Sequence, residues 1–531
     1  MSPRRTLGRA LLAVLLVASP AGAATFLVQP DGSGDFPTIQ AGIDAAANGE
    51  TVALGNGTFT GDGNRDVDFL GKAITVRSQS GDPSTCVLDC EGTSTSPHRG
   101  FRLVSGEGPD SRLEGITITR GYTRIEGGGA VFCGNANPTI VGCVRADNTA
   151  WDMELGGRGG AILCENVIVA DCVFRGNRAA TGIMGPGEGG AIAICNTATI
   201  TGCEFTGNRA DANGGAISAV QSQVMISACH FVENVAHSGG AATILQGSSG
   251  TLENCRFERN RAGGGTALNI WFGSSPTLDH CTFIANAGSY SGALDIWSDS
   301  SPLISACTFY GNTGLSRGTA LRCEDASFPV VENCIISFCG EGVPVWCDGT
   351  SAADLTCCDV YGNAGGDWVG CIEDQYGVDG NFSADPLFCD PPHDDLTLAA
   401  ASPCAPENSP GGCGLIGAWP VGCDAPMGAD EITATFAAPR LGRVWPVPSV
   451  GKVRIACVAP QGSGVGPVVV RILDPQGRCV RRLVLANSGP GVNWLEWDGR
   501  GEDGVAMPAG TYFGSVDRSS EGAPRRVILI R

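Results

Sequence analysis

The chain has 531 residues, 43% of them hydrophobic, and a formal net charge of −20. Its 79 Gly and 30 Pro fall short of a disordered composition, and so acidic a balance excludes a nucleic-acid partner, because a phosphate backbone needs a basic surface. The charge is uneven: from Arg440 onward 13 basic face 7 acidic residues, a net of +6, which leaves −26 on the preceding part.

The N-terminus reads as an export signal. Arg4, Arg5 and Arg9 precede an apolar stretch, residues 10–18, and Ala21-Gly22-Ala23 offers small residues for cleavage, so residues 1–23 are expected to be removed. The stretch is too short to span a bilayer, and no transmembrane segment is expected elsewhere. The mature protein is expected to be secreted or held at the outer cell surface.

A short strand over 25–28 comes next, then a short amphipathic helix with Ile39, Ile43 and Ala46 on one face. Asp35 is the expected cap and Pro37 suits the first turn. Such a helix would cover the open first turn of a solenoid. Residues 51–54 and 73–76 read as the first strands of that solenoid.

The repeat then becomes explicit. Cys-x-Phe-x-x-Asn occurs at Cys172, Cys203, Cys229, Cys255, Cys281 and Cys307, and a degenerate copy begins at Cys143 with Arg145 in the Phe place. From Asn148 to Asn312 the asparagines advance by 29, 31, 26, 26, 26 and 26 residues. A fixed period in this range means stacked turns that bury their apolar faces against each other. Two further beats accompany it: Gly-Gly-Ala-apolar (Gly160, Gly190, Gly215, Gly240) and Pro-Thr-apolar (Pro138, Pro276, with Pro302-Leu-Ile as a variant). Three short strands per turn, and no helical periodicity between them, describe an all-β parallel β-helix. Its hand is expected to be right, as for parallel crossovers. Roughly eleven turns from Thr51 to Val345 would rise about 50 Å at the spacing of paired strands.

Each repeat position has a physical reading. Cys and Phe, two apart, point inward. Asn is expected at a left-handed turn, with its amide bonded to the Asn one turn away. The 25 cysteines divide accordingly. Those at the repeat position are expected to stay reduced, as a ladder of small buried groups. Cys347, Cys357, Cys358, Cys371, Cys389, Cys404, Cys413 and Cys423 lie in irregular loops where bridges are expected.

Beyond residue 423, residues 424–448 read as an Ala- and Pro-rich linker. Residues 449–531 hold strands at 468–472, 480–484, 493–497 and 510–513, with Asp474-Pro-Gln-Gly477 as a turn, and so read as a small immunoglobulin-like β-sandwich.

The Gly-Gly-Ala-Ile, Pro-Thr-Ile and Cys-Thr-Phe-x-x-Asn grammar resembles the right-handed parallel β-helix proteins of the pectin-lyase-like class. It is similar above all to the repeats of polymorphic outer-membrane proteins. Asp31-Gly-Ser-Gly-Asp-Phe-Pro-Thr-Ile-Gln40 is similar to the start of pectin methylesterases and their non-catalytic relatives. Residues 379–388, Ser402-Pro-Cys404 and Gly414-Leu-Ile-Gly417 look like the closing segment of secreted β-helices, expected to cap the C-terminal end. Trp497-Asp-Gly-Arg and Pro508-Ala-Gly-Thr-Tyr512 resemble the immunoglobulin-like domain of flagellar hook-capping proteins and sorting domains of type nine secretion cargo. The implied role of that module is to sort, anchor or space.

Chemistry is harder to place. The Gly-x-x-Asp-Phe-Ile-Phe-Gly motif of pectin methylesterases is missing, and Pro392-His393-Asp394 is only a fragment of the Asp-Pro-His-Asp motif of alginate epimerases. The five histidines (His98, His230, His237, His280, His393) are scattered and suggest no Ser/His/Asp constellation. Strand parity supplies one candidate site. In 267–271 and 293–297 Leu and Ile face inward, so Asn269, Trp271, Asp295 and Trp297 face outward, with the Trp pair stacked and Arg322 and Glu324 continuing the columns. Exposed indole beside polar groups suits sugar rings, and Asn269, Trp271, Asp295, Trp297 and Arg322 are the candidate carbohydrate-binding residues. No catalytic or metal-ligating residue is assigned.

The reading is a secreted or cell-surface β-helix protein with a structural, adhesive or polysaccharide-binding role, its partner an extracellular polysaccharide or an envelope component. The alternative is an enzyme of the pectin-lyase-like class: a pectate-type lyase, pectin esterase or uronan epimerase. The insertions between repeats, residues 151–158 and 181–188, are short and Gly-rich, too small to build a catalytic groove, which leans the reading away from an enzyme. No cofactor is expected beyond Ca²⁺, which an acidic rod would need as a bridge to a polyanion.

Overall fold

Cysteine, phenylalanine and asparagine recur because each stacks on its own copy one turn away. The computed structural model describes residues 23–425 apart from 153, 155, 183, 184, 315 and 316, and residues 440–530 apart from 446–448, 451, 452, 460–467, 486–490, 509 and 517–524. The expected export signal lies outside the described residues except for Ala23, and most of the expected linker lies outside them too. The chain divides into two compact units, one running to Ala384 and including Pro410–Ala418, the other comprising Asp385–Ser409 and everything from Trp419.

The first unit is a parallel β-helix. The Cys-x-Phe strands form a 12-stranded parallel sheet from Gly57–Phe59 to Asp359–Tyr361. The other two beats of the repeat merge into one 21-stranded parallel sheet. They merge because Ile162–Ala170 and Ile192–Thr201 run through the corner as single strands, with a register shift between Cys164 and Asn166. Short fourth strands such as Thr149–Trp151 and Arg178–Ala180 complete some turns.

Inside, Phe174, Phe205, Phe231, Phe257, Phe283 and Phe309 stack with ring centroids 4.7–4.9 Å apart and planes within 4–6° of parallel. That separation is the spacing of paired strands. Arg145, in the Phe column, is fully buried with its guanidinium over the Phe174 ring at 5.6 Å. The asparagines form the second column. Asn208 Nδ2 donates to Asn234 Oδ1 at 3.0 Å and to Phe174 O at 2.9 Å, and Asn234 Oδ1 also accepts from Asn208 N. The pattern repeats from Asn148 to Asn312. At about 0.5–1.5 kcal/mol per bond, it is a continuous source of stability. The asparagines are not themselves left-handed. Positive φ falls on the residue before each, including Gly176, Gly207, Glu233, Arg259 and Ala285. The amide must sit inside the turn to reach its neighbours, so the reversal occurs one residue earlier.

The repeat cysteines are buried free thiols. Cys172, Cys203 and Cys229 Sγ each accept from the cysteine N–H of the preceding turn, as in Cys143 N to Cys172 Sγ at 3.4 Å. Cys334 and Cys358 extend the column. Among the loop cysteines the bridges are Cys347–Cys371, Cys357–Cys413 and Cys389–Cys423. Cys358, expected in a bridge, instead joins the thiol column, and Cys404 is buried in the closing segment.

The ends depart from expectation only in part: within the expected closing segment, Asn381 Oδ1 accepts from Cys358 N at 2.9 Å and Phe382 pairs with Asp359 of the last turn. The helix is Ile39–Ala45, but its cap is Thr38, whose Oγ1 accepts from Ala41 N at 3.2 Å. Asp35 instead receives Leu27 N at 2.8 Å. At the other end the cover is the 3₁₀ turn Gly370–Gln375. Gln375 accepts from Leu355 N and donates to Ala353 O, both at 2.8 Å, which satisfies groups of the last turn that no further strand pairs. Gly414–Gly417 does not cap. It runs beside earlier turns, where Gly417 N meets Asn333 O and Ala418 N meets Thr308 Oγ1.

The second unit contains a small sheet of Phe388–Asp390, Asp395–Ala399 and Val421–Cys423. It also contains two mainly antiparallel sheets of three and five strands. Their core includes Val453, Ile455, Val470, Ile472, Leu495, Trp497 and Tyr512. Arg440–Trp445, expected in the linker, is a strand paired with Val453–Ala459. The Ala and Pro that suggested a linker lie to either side of it, whereas Leu441, Val444 and Trp445 suit a strand.

Candidate functional site

Leu268–Trp271, Leu294–Trp297 and Leu321–Glu324 lie side by side in parallel register, and Val345–Cys347 follows. Leu268, Ile270, Leu294, Ile296, Leu321 and Cys323 are fully buried in the core. The columns Asn269–Asp295–Arg322 and Trp271–Trp297–Glu324 are therefore aligned on the other side, as parity requires.

Alignment does not bring exposure. Asn269 is 0% and Asp295 1% exposed. The cover comes from the Gly263–Gly265 corner of the preceding turn: a Cβ on Gly264 would lie 2.8 Å from Asp295 Oδ2, and one on Gly265 3.0 Å from Asp295 Cβ. Asn269 carries a buried amide with no hydrogen-bond partner among the described residues. These two residues cannot touch a polymer, contrary to the expectation from strand parity.

Asp295 is held by Arg322, whose Nη1 lies 3.1 and 3.3 Å from its two oxygens. Arg322 also bonds Glu324, and Arg317 Nη1 reaches Glu324 Oε1 at 2.7 Å. Burial pushes the Asp295 carboxyl up to about 6; Arg322 opposes the rise and Glu324 adds to it. The cluster is self-contained: two arginines serve two carboxylates.

The aromatic groups are more accessible. Trp271 and Trp297 are partly exposed, but their rings meet edge to face, 5.1 Å apart at 85°, and are not stacked. Phe272 joins them, 51% exposed, 5.9 Å from Trp271 and 6.4 Å from Trp297. It has a φ of 56° and escaped the parity reading because it lies beyond the strand, in the turn. The Trp-Phe pair was the available signal. One turn further on, Arg317 lies over the Trp346 ring at 4.9 Å. The result is an apolar strip of Trp271, Phe272 and Trp297 flanked by a charged, internally paired cluster.

Other sequence candidates fall elsewhere. His393 pairs with Asp390 in the closing segment, and His230 is partnered with the buried Glu258. Burial would raise Glu258; His230 and Arg256 hold it down at about 2. His98 is the exception to the scattered pattern, since Asp66 and Ser96 flank its ring.

Comparison with known proteins agrees with this architecture. Residues 215–383 match the right handed beta helix region family, and residues 202–220 match the Chlamydia polymorphic membrane protein repeat. Residues 451–522 match the FlgD Ig-like domain. No curated protein matches the chain. Among solved structures, the enzymatically active domain of tailspike protein 4 of bacteriophage CBA120 is similar at 11% identity and a TM-score of 0.25, over 86% of this chain and 61% of that one. The chain thus spans less than two thirds of that domain. The PL6 family alginate lyase AlyGC is similar at 8% identity and a TM-score of 0.19, over 64% of this chain and 72% of that one.

Proposed function

We propose that this protein, a β-helix whose central turns match the right-handed family, is exported and holds polysaccharide at the outer cell surface through the Trp271–Phe272–Trp297 strip. The observation that carries this reading is a cluster of three large aromatic rings at the end of two strands of a regular parallel sheet, Phe272 exposed and Trp271 and Trp297 partly so. The apolar face of a sugar ring packs on such a surface. Arg322 and Glu324 are the polar groups nearest in register. Asp295 contributes by holding Arg322 in place.

At this strip the role is binding. Catalysis on an acidic polysaccharide would need a carboxylate able to touch substrate, and Asp295 is covered and ion-paired. The basic C-terminal module supplies a complementary function, docking the acidic β-helix on an anionic envelope. The test is retention of the mature protein on immobilised polysaccharides, neutral and acidic. Replacing Trp271, Phe272 and Trp297 together by Ala is expected to reduce retention at least about tenfold, at roughly 0.5–1.5 kcal/mol per aromatic contact. Unchanged retention would refute the strip as the binding face. Loss of surface retention on deleting residues 440–531 would support the docking role.

A further inference from the structure

The early turns, ahead of the regular repeats, contain an unassigned cluster. A cavity of about 340 Å³ is lined by Asp66, His98, Arg99, Arg102, Tyr122 and Arg124, among others. His98 Nδ1 lies 2.6 Å from Asp66 Oδ2, and His98 Nε2 lies 3.1 Å from Ser96 Oγ. Asp66 is fixed in turn, because its Oδ1 accepts from Arg99 N at 2.9 Å and its N–H donates to Arg99 O at 2.7 Å. With the Nδ1 proton directed at Asp66, Nε2 is left to accept the Ser96 hydroxyl. Ser96 itself is exposed.

The loop that presents Ser96 is pinned. Its backbone pairs with Thr93 in both directions: Thr93 N donates to Ser96 O at 2.9 Å, and Ser96 N to Thr93 Oγ1 at 3.0 Å. Tyr122 N holds His98 O at 2.7 Å. The wall beside it is basic. Arg99 is nine-tenths buried, yet its Nη1 has no hydrogen-bond partner among the described residues. Glu126 is shared by Arg99 at 4.0 Å and Arg102 at 3.4 Å, and Arg124 lies over the Trp151 ring at 5.0 Å. Three arginines in a protein of net charge −20 mark a place where a negative group is welcome.

We propose that Ser96, His98 and Asp66 are the nucleophile, the base and the orienting carboxylate of a hydrolytic site for esters on anionic substrates, with Arg99 and Arg102 receiving the substrate's negative charge. Ser96 Oγ bonds the acyl carbon as its proton passes to His98 Nε2. The ester C–O bond breaks, and the leaving alkoxide takes that proton. Water then gives a proton to the same nitrogen and attacks the acyl carbon, which releases the acid and restores the Ser96 hydroxyl. Asp66 keeps the imidazole in the required tautomer and does not touch substrate. The site is separate from the aromatic strip and stands whether or not the strip binds polysaccharide.

The test uses the mature full chain with a fluorophosphonate probe, and with p-nitrophenyl acetate and p-nitrophenyl hemisuccinate as neutral and anionic esters. A single fluorophosphonate adduct is expected, mapping to Ser96, together with faster hydrolysis of the hemisuccinate. Ser96→Ala should abolish both adduct and hydrolysis with an unchanged unfolding midpoint. Asp66→Asn should slow hydrolysis about a hundredfold while the adduct still forms slowly, and Arg102→Gln should erase the preference for the anionic ester. A folded wild-type protein without an adduct at Ser96, or Ser96→Ala hydrolysing at the wild-type rate, would overturn the proposal and leave these hydrogen bonds as loop anchors only.

Discussion

The turns from Cys172 to Asn312 and the turns from Asp66 to Phe132 use the same parallel sheets to different ends. In the regular turns the inward Cys, Phe and Asn positions repeat, and the outward polar groups of the tryptophan-bearing strands are covered by glycine corners or consumed in ion pairs. In the early turns the spacing is irregular: a loop between Cys86–Asp89 and Phe101–Leu103 brings His98 and Arg99 to an open cavity that Arg102 and Arg124 also line, with Ser96 bonded to His98 beside it. Regular stacking serves stability, and the departures from it gather the groups on which the proposed hydrolytic site rests.

The largest test of that contrast is in the core. Phe231→Ala, in the middle of the ring stack, should cost about 3–5 kcal/mol in urea unfolding, whereas Ser96→Ala should cost almost nothing. Asn234→Ala removes amide bonds to Asn260 and Phe205 and strands the N–H of Asn208, so a loss of about 2–4 kcal/mol is expected. Equal tolerance at Phe231, Asn234 and Ser96 would break the comparison.

A pH series sharpens it. The folded-state pKa of Asp295, about 6, lies above its ordinary value of 3.8. Stability attached to this group is therefore greatest below pH 4 and falls as pH rises through 6, by about 3 kcal/mol. Asp295→Asn should remove that slope, read from unfolding midpoints between pH 4 and 7. Glu258 has the opposite sign: its value of about 2 stabilises the fold above pH 4.5 and loses that contribution as pH falls toward 2.

The smallest effect is chemical. Burial pushes the Cys172 thiol up to about 12, and the other repeat cysteines are equally enclosed. A water-soluble disulfide reagent should react with the exposed Cys479 in the native protein and with the ladder only on unfolding. Prompt native reaction at Cys172 would show that the column opens.

The columns were legible in the sequence because Cys, Phe and Asn each need a copy of themselves one turn away, so residue spacing is register. The left-handed positions were not, since Gly176, Glu233, Arg259 and Ala285 share a backbone angle and no side chain. Parity placed Asn269 and Asp295 on the correct side of the sheet but could not foresee their cover. That cover is backbone from a glycine corner, which has no side-chain signature. Thr38 displaced Asp35 as the helix cap because the helix begins later than Pro37 suggested. Asp66 and His98 are about thirty residues apart, in turns that do not share the repeat, and only folding brings them within 2.6 Å.

The most direct measurement of the functional claim is parallel retention of three proteins on immobilised polysaccharide: wild type, the Trp271/Phe272/Trp297 triple alanine variant, and Ser96→Ala. Retention of wild type and Ser96→Ala, with release of the triple variant, is the predicted result. Equal retention of all three would contradict the assignment of the aromatic strip.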